Sequence, residues 1–317
     1  MARVSPSPPP VTDTAPARVV RDRSTIHLLF VSLRPEQWTK NLLVFAGVVF
    51  GGRLMDLESV EVAVGAFAIF CALSGAVYLF NDVADRVADQ NHPLKRERPI
   101  ASGQLSVSTA LVAGLALGAA GVEAAFLIRP ALGIVCGAYL TLLLTYSAVL
   151  KHVVIVDVLM IAAGFVLRAI AGAVAVNVPI GQWLLVCTTL LALFLGLSKR
   201  RHELTLLAEG ATDHRRILEE YSPYLLDQMI GVVTSSTLIA YTVYATSADT
   251  ADRLGTAKLG LTIPFVLYGI FRYLYLVHQK RGGGSPAAML LTDGPLLGCV
   301  ALWAATVIAL LYSPLGK

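Results

Sequence analysis

The sequence predicts an all-α, polytopic integral membrane protein, a bundle of about nine transmembrane helices. Of its 317 residues, 56% are hydrophobic and only 15% are charged, whereas a typical soluble domain carries roughly 25% charged residues. The apolar residues form runs that are too long for barrel strands and lack their alternating pattern. Helices are favoured because each one pairs its own backbone groups in lipid. This composition argues against a soluble enzyme, a nucleic-acid-binding protein and a disordered scaffold.

Nine segments are predicted to cross the membrane, because a helix needs about 20 mainly apolar residues to span the hydrocarbon core. The first segment differs from the others in carrying Trp38, Lys40 and Asn41 at its start. The nine segments are 37–54, 61–80, 107–128, 131–150, 153–176, 180–197, 226–247, 258–277 and 294–313.

The distribution of basic residues predicts that the N-terminus lies on the cytoplasmic side of a plasma membrane. With this orientation most lysines and arginines fall in cytoplasmic connections, namely Arg86, Lys95, Arg96, Arg98, Lys151, Lys199, Arg200, Arg201, Arg215, Arg216, Lys280 and Arg281. The opposite side carries only Arg53, Arg129, Arg253, Lys258 and the terminal Lys317. The formal net charge of +4 says little about partners.

The regions outside the spans carry few other signals. Residues 1–24 are Pro-rich and are predicted to form a disordered arm with no cleavable signal peptide, which leaves residues 25–317 as one transmembrane domain. The four cysteines fall in predicted spans without paired spacing, which indicates buried apolar residues and not disulfides or metal ligands. The stretch 282–286 is typical of a flexible turn and not of a phosphate-binding loop.

An acidic cluster follows the second span. If that helix continues, Asp82, Asp85 and Asp89 lie on one of its faces, where like charges repel. Ionisable groups at a membrane are usually functional. Carboxylates together with the Asn81 carbonyl suit Mg²⁺, which completes its coordination with water and phosphate oxygens. The alternative is a solvated helix whose charges are neutralised by Arg86 and Lys95.

The pattern Asn-Asp-x-x-Asp-x-x-x-Asp at 81–89, followed by Arg-Pro-Ile-Ala-Ser-Gly at 98–103, resembles the first aspartate-rich motif of the UbiA prenyltransferase superfamily. The resemblance covers residues 30 to 313 approximately. Members of that superfamily are all-helical intramembrane enzymes that use Mg²⁺ to bind a diphosphate leaving group. The resemblance therefore implies that Asn81, Asp82, Asp85 and Asp89 bind Mg²⁺.

A basic cluster stands where most members of the superfamily carry a second aspartate-rich motif. Lys199, Arg200 and Arg201 precede the single acidic residue Glu203. Cations in place of carboxylates favour direct binding of an anion over binding of a second metal ion. The alternative is that these cations only mark the cytoplasmic side of the membrane.

Two ionisable residues, Asp157 and Arg168, lie inside the fifth span on nearly the same face. About 16 Å of helix rise separates them, so they are not direct partners. Each is expected to face the interior of the bundle, because an ion facing lipid is costly. A purely structural pairing with another span is the alternative for both.

Further positions strengthen the resemblance to one branch of the superfamily, the decaprenyl-phosphate phosphoribosyltransferases. They are Arg-Pro-x-Gln-Trp-x-Lys-Asn at 34–41, Lys151-His152, Asp157, Arg168-Ala-Ile-Ala-Gly and the basic cluster. The branch transfers 5-phosphoribose from phosphoribosyl pyrophosphate to a polyprenyl phosphate, for cell-envelope precursors of the arabinan type. The implied partners are these two substrates and the lipid bilayer, without nucleic acid, and a homo-oligomer is compatible with the sequence.

The resemblance also implies roles for individual residues. Asp82, Asp85, Lys151 and Asp157 are the candidate catalytic residues. The candidate substrate-binding residues are Lys40, Asn81, Asp89, Lys95, Arg98, Tyr146, Arg168, Lys199, Arg200 and Arg201. His92, His152 and His202 are expected to be polar loop residues, because a phosphate acceptor is already anionic and needs no strong base.

Two other functions stay open from the sequence. The first is a prenyltransferase that attaches a prenyl diphosphate chain to an aromatic or quinone precursor, which normally requires the second acidic motif. The second is a transporter, suggested by the ions within spans, although transporters usually show inverted repeats or broken paired helices.

Overall fold

The computed structural model describes residues 24–93, 95–208, 216–280 and 286–314, and this part of the chain is helical, without strands. The predicted N-terminal arm up to residue 23, Arg215, Arg281 and residues 282–285 of the predicted turn lie outside the described residues. The α-helices are α1 (Thr25–Ser32), α2 (Ala46–Phe50), α3 (Leu57–Ala84), α4 (Arg86–Gln90), α5 (Val107–Ile128), α6 (Pro130–Ala148), α7 (Val156–Ala175), α8 (Gln182–Ala208), α9 (Pro223–Thr246), α10 (Ala248–Leu254), α11 (Ile263–Gln279), α12 (Pro286–Thr292) and α13 (Gly294–Tyr312). The 3₁₀ helices are Pro35–Phe45, Lys95–Glu97, Leu150–His152, Arg216–Glu220 and Lys258–Thr262.

Eight helical segments of the described chain are long and apolar enough to cross a membrane. They are Leu57–Ala84, Val107–Ile128, Pro130–Ala148, Val156–Ala175, Gln182–Thr205, Pro223–Thr246, Lys258–Gln279 and Gly294–Tyr312. Each overlaps one of the predicted spans from the second to the ninth. The protein is therefore an all-α, multi-pass membrane bundle, as predicted.

The first predicted span, 37–54, has a different local structure. The chain forms a 3₁₀ helix over Pro35–Phe45 and then the short α2, and it turns at residues 51–52. This segment packs against α7 so closely that a Cβ on Gly172 would lie 1.8 Å from the carbonyl oxygen of Val44. A Cβ on Gly47 would lie 2.3 Å from the carbonyl carbon of Gly172. The path of this segment thus depends on backbone-to-backbone contact with α7.

Helix α7 is the element that joins the two halves of the bundle. On one side α3 packs against α5, α6 and the Pro35–Phe45 segment, and on the other α8 packs against α9. α7 contacts α6, α8 and both parts of the first segment. In the first half the rings of Phe70 and Tyr139 pack with centroids 4.8 Å apart. Because α7 lies between the halves, its polar residues face the interior.

The four cysteines are free thiols. Cys71, Cys136 and Cys299 are buried and Cys187 is half-buried. All four lie within spans, where they pack as small apolar side chains.

Replacing Gly172 with alanine tests the contact between α7 and the first segment. The added methyl group would overlap the Val44 carbonyl, and overpacking of this kind typically costs about 1–3 kcal/mol. We expect the detergent-solubilised variant to unfold at a clearly lower temperature than wild type. Gly137→Ala in α6 is the matched control, because nothing lies within 4 Å of its added Cβ. Equal melting temperatures for the two variants would contradict the contact.

Candidate active site

The acidic motif lies at a break between two helices and not along one helical face. α3 ends at Ala84, Asp85 follows as the capping residue, and Asp89 belongs to the separate helix α4. Asp82 and Asp89 are buried, with 2% and 4% of their surface exposed, whereas the Asp85 side chain is 45% exposed. The expected continuous face is therefore wrong, because the helix stops within the motif. The break nevertheless leaves two buried carboxylates close together.

Arg34, Arg98 and Lys151 pair with carboxylates of the acidic motif. Asp82 Oδ1 accepts hydrogen bonds from Arg34 and, at 3.3 Å, from Arg98 Nη1. The same Arg98 nitrogen donates to Asp89 Oδ2 at 2.6 Å. Lys151 Nζ lies 3.3 Å from Asp85 Oδ1. The burial of two carboxylates and their pairing with Arg34 and Arg98 argue against a solvated helix.

Arg34 is a site residue that was absent from the sequence candidates. It precedes Pro35 and adopts a left-handed backbone conformation, with φ at 53°, which is uncommon for a residue other than glycine. Its guanidinium lies 4.8 Å from the centroid of the Tyr78 ring. Strained backbone of this kind clusters at functional sites. The Arg-Pro pair that opens the first segment is the sequence feature that points to Arg34.

The carboxylates fit a hard divalent cation. Among the described residues, no three histidine, cysteine or acidic side chains come together as a complete metal cluster. Asp82 and Asp89, however, both contact the same atom, Arg98 Nη1, and therefore lie close together. Mg²⁺ is usually bound by one or two carboxylates together with substrate phosphates. Asn81 is half-buried in the last turn of α3, and its backbone carbonyl accepts from the Asp85 amide.

Arg168 carries a buried charge whose hydrogen-bond partners are all neutral. Nε donates to Asn41 Oδ1 at 2.8 Å, Nη1 to the Gly164 carbonyl at 3.0 Å and Nη2 to the Tyr139 hydroxyl at 2.6 Å. Its residue exposure is only 7%. The side chain faces the bundle interior as predicted, and the described residues supply no carboxylate to it.

The cations of the first segment, α7 and α8 interact electrostatically with one another. Lys40 has Lys199, Arg168 and Arg34 as electrostatic neighbours. Lys199 also forms a 3.8 Å ion pair with Glu203. Arg34 also pairs with Asp82, so it links these cations to the acidic motif. We call Lys40, Arg168 and Lys199 the basic pole, and Asp82, Asp85 and Asp89 the acidic pole.

The other two cations of the basic cluster bind carboxylates of the protein. Arg200 is 2% exposed and donates to Asp157 Oδ2 at 2.8 Å, and it also pairs with Glu203. Arg201 pairs with Asp227 of α9. Both contacts fasten α8 to its neighbours. Of the three consecutive cations, Lys199 is one whose charge acts on Lys40.

The remaining candidates lie at the same end of the bundle. Tyr146 is half-buried near the end of α6 and interacts electrostatically with Arg200. Lys95 opens a 3₁₀ turn, and its amide donates to His92 Nδ1 at 3.1 Å, a local loop contact. His152 is exposed and His202 is half-buried.

Asp157 is completely buried and both of its carboxylate oxygens are bonded. Oδ2 accepts from Arg200, and Oδ1 accepts at 2.8 Å from the hydroxyl of Tyr221, a residue that no sequence motif indicated. The Tyr221 oxygen in turn accepts the Ile155 amide at 2.7 Å. Burial raises the pKa of Tyr221 to about 12, so its hydroxyl keeps the proton that it donates.

This group of hydrogen bonds holds a strained turn. Ile155 has φ at 68°, which is a genuine outlier for a β-branched residue and costs of order 1–3 kcal/mol. The turn lies four residues after Lys151, the partner of Asp85. Asp157, Arg200 and Tyr221 therefore support the loop that carries Lys151.

Comparisons with known proteins agree with this architecture. A family model described as the UbiA prenyltransferase family matches residues 42–292. The decaprenyl-phosphate phosphoribosyltransferase of Corynebacterium glutamicum is 32% identical over 288 residues, 89% of this chain and 86% of that protein. The enzyme of the same name from Mycolicibacterium smegmatis is 34% identical over 298 residues, 90% of this chain and 92% of that protein.

A solved structure has the same fold. A UbiA homolog from Archaeoglobus fulgidus, bound to DMAPP and Mg²⁺, superposes with a TM-score of 0.68 at 19% identity, covering 90% of this chain and 99% of that one. The named relatives are transferases, which favours a membrane transferase over a transporter.

Replacing Tyr221 with phenylalanine tests the support of the turn. The variant removes the acceptor of the Ile155 amide and one donor to Asp157, so we expect amide hydrogen exchange around residues 150–157 to accelerate by about tenfold or more. Tyr224→Phe is the control, because that side chain is 75% exposed. Identical exchange in the two variants would show that Tyr221 does not hold the turn.

Proposed function

This chain belongs to the UbiA prenyltransferase family, and we propose that it transfers 5-phosphoribose from phosphoribosyl pyrophosphate to a decaprenyl-like polyprenyl phosphate and releases pyrophosphate. One observation carries the proposal: an acidic pole suited to a metal–diphosphate adjoins a basic pole suited to a second anion. The relatives named decaprenyl-phosphate phosphoribosyltransferases support it. The product would enter the synthesis of cell-envelope precursors of the arabinan type.

The acidic pole is proposed to receive the ribosyl donor. Asp82, Asp85 and Asp89, with Asn81, would hold Mg²⁺. When bound, this ion offsets the negative charge that develops on the departing pyrophosphate. Arg34, Arg98 and Lys151 pair with these carboxylates. They would bind pyrophosphate oxygens, together with Lys95 from the following loop. The residues of this pole would hold the donor with its anomeric carbon toward the second anion.

The basic pole is proposed to hold the lipid acceptor by its phosphate group. Lys40, Arg168 and Lys199 would bind the phosphate oxygens, with Tyr146 nearby, and the polyprenyl tail would extend between the spans into the bilayer. Arg168 is suited to this role because, within the described part of the chain, its guanidinium donates its hydrogen bonds to neutral groups. Arg200 and Arg201 would strengthen the positive potential from their paired positions.

The transfer needs no strong general base. An oxygen of the lipid phosphate, which is already anionic, forms the new bond to the anomeric carbon of the ribose. The bond from that carbon to the pyrophosphate oxygen breaks, and its electron pair leaves with the pyrophosphate. Attack on the face opposite the leaving group inverts the α donor to a β product. Oxocarbenium character on the ribose is expected, as in glycosyl transfer generally.

The proposed orientation places the N-terminus and both poles at the cytoplasmic face of a plasma membrane. The charged ends of α3, α7 and α8 lie at one end of the bundle, together with most basic connections. A soluble sugar diphosphate would enter there, while the lipid arrives from the bilayer.

A label-transfer assay with the purified protein in detergent tests the reaction. We expect label from phosphoribosyl pyrophosphate to enter the lipid fraction only when polyprenyl phosphate and Mg²⁺ are both present. Transfer from labelled prenyl diphosphate to an aromatic or quinone precursor, without ribosyl transfer, would establish the prenyltransferase alternative instead.

Substitution of the acidic pole tests its role in the same assay. Asp82→Ala and Asp85→Ala should each lower transfer roughly 100-fold or more, because neutralisation of the leaving group contributes several kcal/mol. Asp252→Ala in α10 is the control, since this exposed carboxylate lies at the opposite end of the bundle. Wild-type rates in both variants, with unchanged Mg²⁺ dependence, would contradict the proposed metal site.

A further inference from the structure

One nitrogen atom of Arg98 lies between the two buried carboxylates of the acidic pole. Nη1 is 3.3 Å from Asp82 Oδ1 and 2.6 Å from Asp89 Oδ2. The Asp82 and Asp89 side chains are 4% and 5% exposed, whereas that of Arg98 is 28% exposed. The guanidinium thus reaches from the more exposed side into a pair of carboxylates that water barely contacts.

In the ligand-free protein this bridge neutralises two buried carboxylates. Two buried carboxylates repel one another and are costly to leave unpaired. Arg34 pairs with Asp82, whereas Arg98 pairs with both carboxylates and so neutralises them together. Loss of an arginine from such a group would normally destabilise the fold unless another cation took its place.

The backbone of Arg98 is fixed by hydrogen bonds, while its side chain is 28% exposed to water. Its amide donates to the Lys95 carbonyl at 3.0 Å and its carbonyl accepts from the Ser102 amide at 2.9 Å. Ile100 is fully buried in a cluster with Leu28 and anchors the segment. The guanidinium can therefore leave the carboxylates by rotation of its side chain, without movement of the loop.

A metal ion and this guanidinium compete for the same position. Asp82 and Asp89 are the carboxylates that would hold Mg²⁺, and Arg98 Nη1 fills the space between them. A hydrated metal ion alone would have to displace the guanidinium toward water and leave two cations close together. A metal ion that arrives with a diphosphate brings its own anion, which can accept the displaced guanidinium as a charge-assisted partner.

We propose that Arg98 is an internal counter-ion that occupies the metal position until a diphosphate arrives, so that metal and diphosphate bind together and hardly at all alone. This inference rests on the proposed function only in placing a metal–diphosphate at the acidic pole. It makes Arg98 a positioning residue in the free protein and a ligand of the diphosphate in the complex.

Equilibrium dialysis of the full-length protein in detergent, with Mn²⁺ in place of Mg²⁺ and labelled inorganic pyrophosphate, measures the coupling. In wild type we expect Mn²⁺ to be retained at least tenfold more tightly with pyrophosphate present, and pyrophosphate to be retained more tightly with Mn²⁺ by the same factor. Wild-type protein that retains Mn²⁺ equally well with and without pyrophosphate would overturn the proposal, whatever any variant does.

Arg98→Ala identifies the residue responsible. This variant should bind Mn²⁺ alone about tenfold or more tightly than wild type, because a competing cation is gone, and it should bind pyrophosphate more weakly. Mn²⁺ alone should also raise its melting temperature, which it should not do for wild type. Arg96→Ala is the control, since it removes an exposed cation two positions away. If Arg98→Ala and Arg96→Ala bound Mn²⁺ alone equally, the role of Arg98 would be refuted.

Inorganic pyrophosphate separates this inference from the proposed function, because every diphosphate donor carries that group. Coupled binding of Mn²⁺ and pyrophosphate by a protein that fails to transfer labelled ribose would support the counter-ion and reject the ribosyl donor. Ribosyl transfer without coupled binding would support the ribosyl donor and reject the counter-ion.

Discussion

A charge inside a lipid-embedded bundle is tolerated only where a partner neutralises or solvates it, and this requirement organises the polar end of the protein. The buried carboxylates of Asp82, Asp89 and Asp157 each accept hydrogen bonds from an arginine. Those arginines come from three separate segments of the chain, so the same ion pairs that solve the burial problem also determine how the segments meet. The groups suited to bind substrate are for this reason also structural.

Much of the fold could be predicted from the sequence, because a membrane span requires little more than a long apolar run. α5 has the predicted bounds, since Ser106 caps its first turn and Pro130 starts the next helix directly after Arg129. The first span is the exception. Its 3₁₀ path depends on packing against α7, and local sequence does not specify such a contact.

The residues of the candidate site could largely be predicted, but the ion pairs that they form could not. The acidic motif and Lys199 were found from the residues themselves and from a family resemblance. Arg34 reaches Asp82 across 48 positions and Arg200 reaches Asp157 across 43, and no local spacing indicates such long-range partners. The expected continuous helix was also wrong, because α3 ends at Ala84, and the residue that joins Asp82 to Asp89 is Arg98 of the following loop.

The contact between Gly47 and Gly172 has a consequence for how this protein can evolve. An added methyl group at either position would meet main-chain atoms of the other segment, and main-chain atoms cannot be made smaller by mutation. A larger residue at one position therefore has no compensating replacement at the other. Most packing contacts can drift through pairs of complementary changes, but here each glycine must persist independently for as long as the two segments keep their spacing.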